Sequence, residues 1–220
     1  MINELKLMFE DKTIAEKIKR KLPYMFSLAE AEISKGSKIG MEIGTIREQI
    51  LIALLIYKFG TDNVEIAGIN SPDFDLKLFG FPVSIKTKTG AIPKRIIRLS
   101  GSGVKLIWTV DWNKVDEFFN SYEPKSELLL VEVVWEKNGG FYYFPLETQK
   151  EIFESLGREK YIFKHRKGTN PRGVEISNLG LIELANHYRT RKIEINWQRP
   201  EKKIDPYEPF RRWIELWERD

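Results

Sequence analysis

Apolar residues recur at helical spacing near the start of the chain: Leu5, Met8 and Phe9, then Ile14 and Ile18, then Leu28, Ala29, Ala31 and Ile33. This predicts two helices over residues 3–34. Pro23 is the expected break between them, because proline lacks the amide proton that a helix interior uses. The glycine-rich stretch S-K-G-S-K-I-G-M-E-I-G at 34–44 reads as a loop. A helix should then start near Thr45 and stop at Gly60. It is apolar all round from Ile50 to Tyr57, the pattern of a central, buried helix. Asn63–Ile69 reads as a strand.

The pattern then switches to a period of two. Phe74, Leu76, Leu78, Val83 and Ile85 fall on one side of a predicted hairpin with a Gly80-Phe81 turn, and only Thr87 adds a polar member. The other side carries Asp75, Lys77, Phe79, Pro82, Ser84 and Lys86. A turn centred on Gly80-Phe81 sets Asp75 opposite Lys86, Lys77 opposite Ser84 and Phe79 opposite Pro82. Directly opposed Cβ atoms lie about 5 Å apart. The hairpin therefore buries one face and offers a carboxylate beside an ammonium on the other.

Farther along, Arg95–Leu99 and Val104–Trp108 read as strands joined by a Gly-Ser-Gly turn, and Asp111–Tyr122 reads as a helix. Glu127–Trp135 and Gly140–Pro145 read as strands around an Asn138-Gly139 turn, followed by a helix over Thr148–Leu156. After the polar loop H-R-K-G-T-N-P-R-G come a strand at Val174–Ile176, a helix at Leu179–Tyr188 and a strand at Lys192–Trp197. A proline- and charge-rich link precedes a final helix over 207–219, with Phe210, Trp213, Ile214 and Trp217 available to dock on the body or on a second subunit. The sum is a single mixed α/β domain over residues 1–220, with a central sheet between helices.

Composition narrows the class. Of 220 residues, 42% are hydrophobic and 31% charged, as in a globular protein, and the longest apolar run is far too short to span a bilayer. Acidic residues interrupt the N-terminal apolar positions, so no secretory signal is read there. With no cysteine there is neither a disulfide framework nor a thiolate metal site, and a cytoplasmic location is expected. The net charge is only +4, but its distribution is uneven. No acidic residue occurs between Asp75 and Asp111, while Lys77, Lys86, Lys88, Lys94, Arg95, Arg98 and Lys105 all do. A second basic run holds Arg158, Lys160, Lys164, Arg166, Lys167 and Arg172. Either run alone suits a solvated surface. The first, starting on the polar face of the hairpin, also suits a phosphate backbone lying across it.

The chemistry follows from the hairpin. An exposed Asp75–Lys86 pair on its own is worth a few tenths of a kcal/mol and carries no function. Asp73, however, shares its face. Carboxylates and a lysine on one rigid element are what metal-assisted phosphodiester hydrolysis requires: the carboxylates hold Mg²⁺, and the lysine serves the attacking water or offsets developing charge.

Pro72-Asp73 followed by Val83-Ser84-Ile85-Lys86 resembles the PD-(D/E)XK nuclease superfamily, over roughly residues 40–110. The resemblance implies a restriction-endonuclease-like core at about 40–135, a central mixed sheet flanked by helices, and a C-terminal helix appended to it. It implies Asp75 as metal ligand, the Ile85 carbonyl as a backbone ligand and Lys86 as the catalytic lysine. Glu48 corresponds to the glutamate often supplied by the core helix. The sequence departs from the pattern at Ser84, where an acid is usual, so the second carboxylate is assigned to Glu48. Asp73, which the same register would pair with Lys88, is the alternative ligand. Glu48 also completes a capping box with Thr45, a structural role not exclusive of the other.

Within the superfamily the chain is most similar to compact type II restriction endonucleases, and among them to the ThaI-like enzymes, which cut CG/CG. The resemblance implies a homodimer on double-stranded DNA, Mg²⁺ with Mn²⁺ as a substitute, and a cognate DNA methyltransferase in the same host. Lys88, Lys94, Arg95, Arg98, Arg166, Lys167 and Arg172 are then the candidates for DNA contact, arginine or lysine being the readers of guanine O6 and N7. Met41, between Gly40 and Gly44, is a candidate wedge between base steps. A repair or junction-resolving nuclease on the same fold, and a non-catalytic DNA-binding protein, are the alternatives. His165 and His187 receive no catalytic role.

Overall fold

Strand Glu127–Val133 (β5) is buried at every position, which only a strand covered on both faces can be. Around it the computed structural model, which describes residues 2–33, 39–68, 74–95, 99–169, 173–200, 205, 207 and 211–218, builds a six-stranded mixed sheet. The side chains at 32, 33, 39–42, 212 and 213 lie outside that description. The remaining strands of this sheet are Val64–Ile66 (β1), Leu76–Leu78 (β2), Phe81–Thr89 (β3), Asn138–Phe144 (β6) and Arg191–Asn196 (β9), in the order β1-β2-β3-β5-β6-β9. Every neighbouring pair is antiparallel except β3 and β5, whose parallel register runs from Val83 opposite Glu127 to Thr89 opposite Val133. A second, antiparallel sheet has the order β4-β8-β7, from strands Gly101–Trp108 (β4), Ile162–Lys164 (β7) and Gly173–Ser177 (β8).

The alternation of β5 divides two cores. Leu129, Val131 and Val133 join Phe141, Tyr143 and the helices Asn3–Glu10 (α1), Lys12–Ile33 (α2) and Ile39–Phe59 (α3) on one face. Leu128 and Leu130 join Tyr142, Phe144 and the second sheet on the other, with helices Trp112–Ser121 (α4), Leu146–Leu156 (α5), Arg158–Tyr161 (α6) and Asn178–Asn186 (α7). A last helix, Arg211–Trp217 (α8), leaves Ile214, Leu216 and Trp217 exposed. Among the described residues no helix is long and apolar enough to cross a membrane.

The mixed α/β architecture is the expected one, and several boundaries differ. Pro23 lies inside α2, and the break falls at Asp11, whose Oδ1 accepts from Thr13 N and Ile14 N. Burial of Ile18, Leu22 and Phe26 on either side of the proline holds the helix together across the missing bond. Helix α3 starts at Ile39, so part of the predicted loop is helical. Nor is α3 central: Leu51 and Leu55 are buried, but Ile50, Leu54 and Tyr57 line an open apolar groove of about 530 Å³ with Ile18, Leu22 and Met25 of α2. The turn before β6 falls at Trp135-Glu136 rather than Asn138-Gly139, with Lys137 N donating to Val134 O and Glu136 at φ 62°. Gly101–Gly103 begins strand β4, Lys94 and Arg95 sit in a bend, and residues 96–98 of the strand expected at Arg95–Leu99 lie outside the described residues.

Candidate active site

The hairpin that carries Asp75 and Lys86 is set by its turn. Phe79 and Gly80 have φ of 51° and 81°, so this pair forms the two-residue loop, with Leu78 opposite Phe81, Lys77 opposite Pro82 and Leu76 opposite Val83. Positive φ at both central residues gives the turn whose twist matches the flanking strands. Phe79 is held there edge-on against Phe59, with ring centroids 5.5 Å apart. The pairing thus differs by two residues from the register expected for a Gly80-Phe81 turn. Because side chains alternate with period two, the faces are unchanged.

The shift alters the partners of Asp75. Continuing the observed register sets it opposite Ser84, with Lys86 on the diagonal. Its amide donates to Val83 O at 3.0 Å. Its Oδ2 accepts three bonds, from Ser84 Oγ at 3.1 Å, Ile85 N at 2.6 Å and Lys86 Nζ at 3.3 Å. Among the described residues no donor reaches Oδ1. Ser84, which departs from the acid usual at its position, is therefore a donor that orients the aspartate. Local pattern gave no signal for that role. A cleft of about 180 Å³ opens beside Asp75, Ser84 and Lys86, closed on its far side by Phe118, Tyr122 and Lys125.

Glu48 comes to this cluster from α3. Since the helix begins at Ile39, Thr45 is an interior residue, and the capping box is not formed. The Glu48 carboxyl is pushed up to about 7 by burial; Lys86 pulls it down and Asp75 pushes it further up. The half-buried carboxyl is thus poised between its two protonation states near neutral pH. The neighbouring Arg47, buried, fixes the helix. Its guanidinium donates to Glu30 at 2.5 Å and to Thr89 Oγ1 at 3.1 Å. Glu30 in turn accepts from Trp135 Nε1 at 2.7 Å and pairs with Arg199 at 2.9 Å. Sequence reasoning passed over this network, whose members lie far apart in the chain.

The donors present are hard oxygens, as Mg²⁺ prefers: the open Oδ1 of Asp75, the Glu48 carboxyl and a strand carbonyl such as that of Ile85. Among the described residues no group of three or more His, Cys, Asp or Glu converges. Asp73 lies outside the described residues, as do Arg98 and Arg172, and the side chain of Met41, whose backbone belongs to α3. Lys94 and Arg95 are exposed after β3, and Arg166 and Lys167 are exposed between β7 and β8. Lys88 is placed otherwise than its neighbours in sequence suggest. It is buried, and its ammonium donates to the carbonyls of Gly90 and Ala91 rather than facing solvent. His165 pairs with Glu175 and His187 with Glu151, away from the cluster.

Comparison with known proteins places the fold in a family. A search of curated proteins returns no match. A solved structure described as a restriction endonuclease in complex with substrate DNA is 46% identical, covering 97% of this chain and 98% of its own, with a TM-score of 0.83. The family model for restriction endonuclease ThaI matches residues 8–219. By that match, over nearly its whole length, the chain belongs to the ThaI restriction endonuclease family.

Proposed function

We propose that this protein is a type II restriction endonuclease. It would hydrolyse phosphodiester bonds of double-stranded DNA at a short G·C-rich palindrome, of which CG/CG is the simplest form, with Mg²⁺ as cofactor. The observation that carries the reading is the meeting of Asp75, Lys86 and Glu48 on a hairpin and a helix of a chain in a restriction endonuclease family. A bound divalent ion supplies Lewis-acid activation of water and neutralises charge at the scissile phosphate. Asp75, with Oδ2 occupied by three donors, would hold such an ion through Oδ1, and the Glu48 carboxylate would be its second protein ligand. Lys86 Nζ, held at Asp75, lies where it orients the attacking water and offsets the charge that develops on the phosphate. In-line attack leaves 5′-phosphate and 3′-hydroxyl ends.

Lys94, Arg95, Arg166 and Lys167 are the described side chains offered to a duplex, and Arg98, Arg172 and the Met41 wedge complete the proposed contact set. A palindrome is matched by a two-fold homodimer, which sets one cluster on each strand. A host carrying the enzyme in its cytoplasm needs a cognate methyltransferase to shield its own sites.

Incubation with phage DNA tests the reading. Discrete fragments are expected with Mg²⁺ or Mn²⁺ and none with EDTA. Lys86→Ala should lower cleavage by about 10²- to 10⁴-fold while leaving DNA affinity within a few-fold of wild type. Metal-independent cleavage, or a fully active Lys86→Ala protein, would refute it.

A further inference from the structure

Catalytic strand β3 ends in a buried charge that the reaction does not use. Lys88, two residues past Lys86, is 7% exposed and directs its ammonium to Gly90 O at 2.7 Å and Ala91 O at 3.0 Å. Directly across the parallel ladder stands Glu132 of β5, 5% exposed. Its Oε1 accepts from Ile92 N, and its Oε2 from Tyr142 OH at 3.1 Å. Glu175 of β8, also 5% exposed, accepts from Gly103 N at 2.8 Å and lies 3.2 Å from His165 Nε2. Its charge and that of Glu132 both act on Lys88, whose own proton affinity burial lowers.

What these groups hold is one stretch of main chain at both ends. Lys88 and Glu132 fasten Gly90–Ile92, where the chain leaves the catalytic strand. Glu175 fastens Gly103, and Asn178 adds bonds to Ser100 through N–H···O at 2.8 Å and Nδ2–H···Oγ at 2.6 Å. Between the fastenings lie Lys94 and Arg95, both exposed. Glycine at 101 leaves room for the same carboxylate, because a Cβ there would crowd Glu175 Oε2. Burying one cation and two anions is a poor way to gain stability, since desolvation offsets most of their attraction. Such groups do fix geometry when their bonds go to the main chain of the part they hold.

We infer that Lys88, Glu132 and Glu175 are positioning residues, which clamp the segment bearing Lys94 and Arg95 to the catalytic strand so that DNA reading and cutting share one frame. The inference rests on the endonuclease reading above. It reassigns Lys88 from DNA contact to support of the residues that make contact. It also gives the two carboxylates a purpose distinct from metal binding.

The test separates binding from chemistry on cognate duplex and on duplexes with one substituted base pair. Lys88→Met and Glu132→Leu should each raise KM for cognate DNA roughly ten- to a hundredfold and narrow the preference over substituted sites. The single-turnover rate at saturating DNA should stay within about twofold at a temperature where each variant is folded, while the melting temperature falls because one partner of a buried charged set has been removed. Glu132→Gln, which keeps an oxygen to accept from Ile92 N, should restore KM. A wild-type KM in Glu132→Leu overturns the inference. So does a fall in saturating rate with KM unchanged, or a parallel loss of stability and activity that Glu132→Gln does not relieve. Lys94→Ala and Arg95→Ala tell the two readings apart. If these raise KM and the clamp variants do not, the clamp is refuted while the DNA-reading role stands. If neither raises KM, the segment does not read DNA.

Discussion

Glu48 shows how one side chain sets a condition for the whole site. Its carboxyl is pushed from the ordinary 4.5 to about 7, burial being the first cause. A group whose folded pKa is raised contributes stability that is complete below the unfolded value and is lost as pH rises through the folded one. In metal-free protein the contribution is therefore full near pH 4.5, declines up to about pH 7 and is flat beyond. Urea denaturation in EDTA at intervals from pH 5 to 8 should show wild type losing midpoint across that window. Glu48→Gln, which cannot ionise, should lack this component of the decline. An equal decline in both proteins would place its origin elsewhere. Arg47 is the complementary case, a buried cation supplied with Glu30 and Thr89 as acceptors and set one residue before the carboxyl it helps to aim.

The hairpin makes the same point for an element. Gly80 at φ 81° has nothing within 4 Å of the position a Cβ would take, so an alanine there has room but a poor backbone conformation. Gly80→Ala should cost about 1–2 kcal/mol, measurable as a lowered denaturation midpoint. This element also marks the limit of what sequence makes legible. Alternation assigned Leu76, Leu78, Val83 and Ile85 to one face and Asp75, Ser84 and Lys86 to the other, because a period of two survives any even shift. It did not give the register, which depends on Phe79 accepting a φ that phenylalanine seldom adopts. Helix α3 was legible as a helix but not at its start. Gly40 and Gly44 each cost about 1 kcal/mol in a helix, and distant anchors such as Arg47–Glu30 offset that. The burial of Lys88 was hidden for a similar reason: its partners Glu132 and Glu175 arrive from β5 and β8, and no local pattern connects them.

At the scale of the molecule, the Asp75–Lys86 pair proposed to cut and the shell around it are assembled over very different lengths of chain. Ser84 and Lys86 reach Asp75 across separations of 9 and 11 residues. The helices that cover the sheet are tied down across far longer ones. Ile2 N donates to Tyr143 OH across 141 residues, and Arg191 to Glu10 across 181. Contacts within a hairpin form in microseconds, whereas long loop closures and parallel pairing are slow. On refolding, the reactive cluster should thus exist in outline well before the molecule closes around it. Pulse-labelled hydrogen exchange would find the Ile85 amide protected ahead of the Ile2 amide, and the reverse order would contradict this. A newly made chain would then pass through a stage in which the groups proposed to cut are aligned and its covering helices are still undocked.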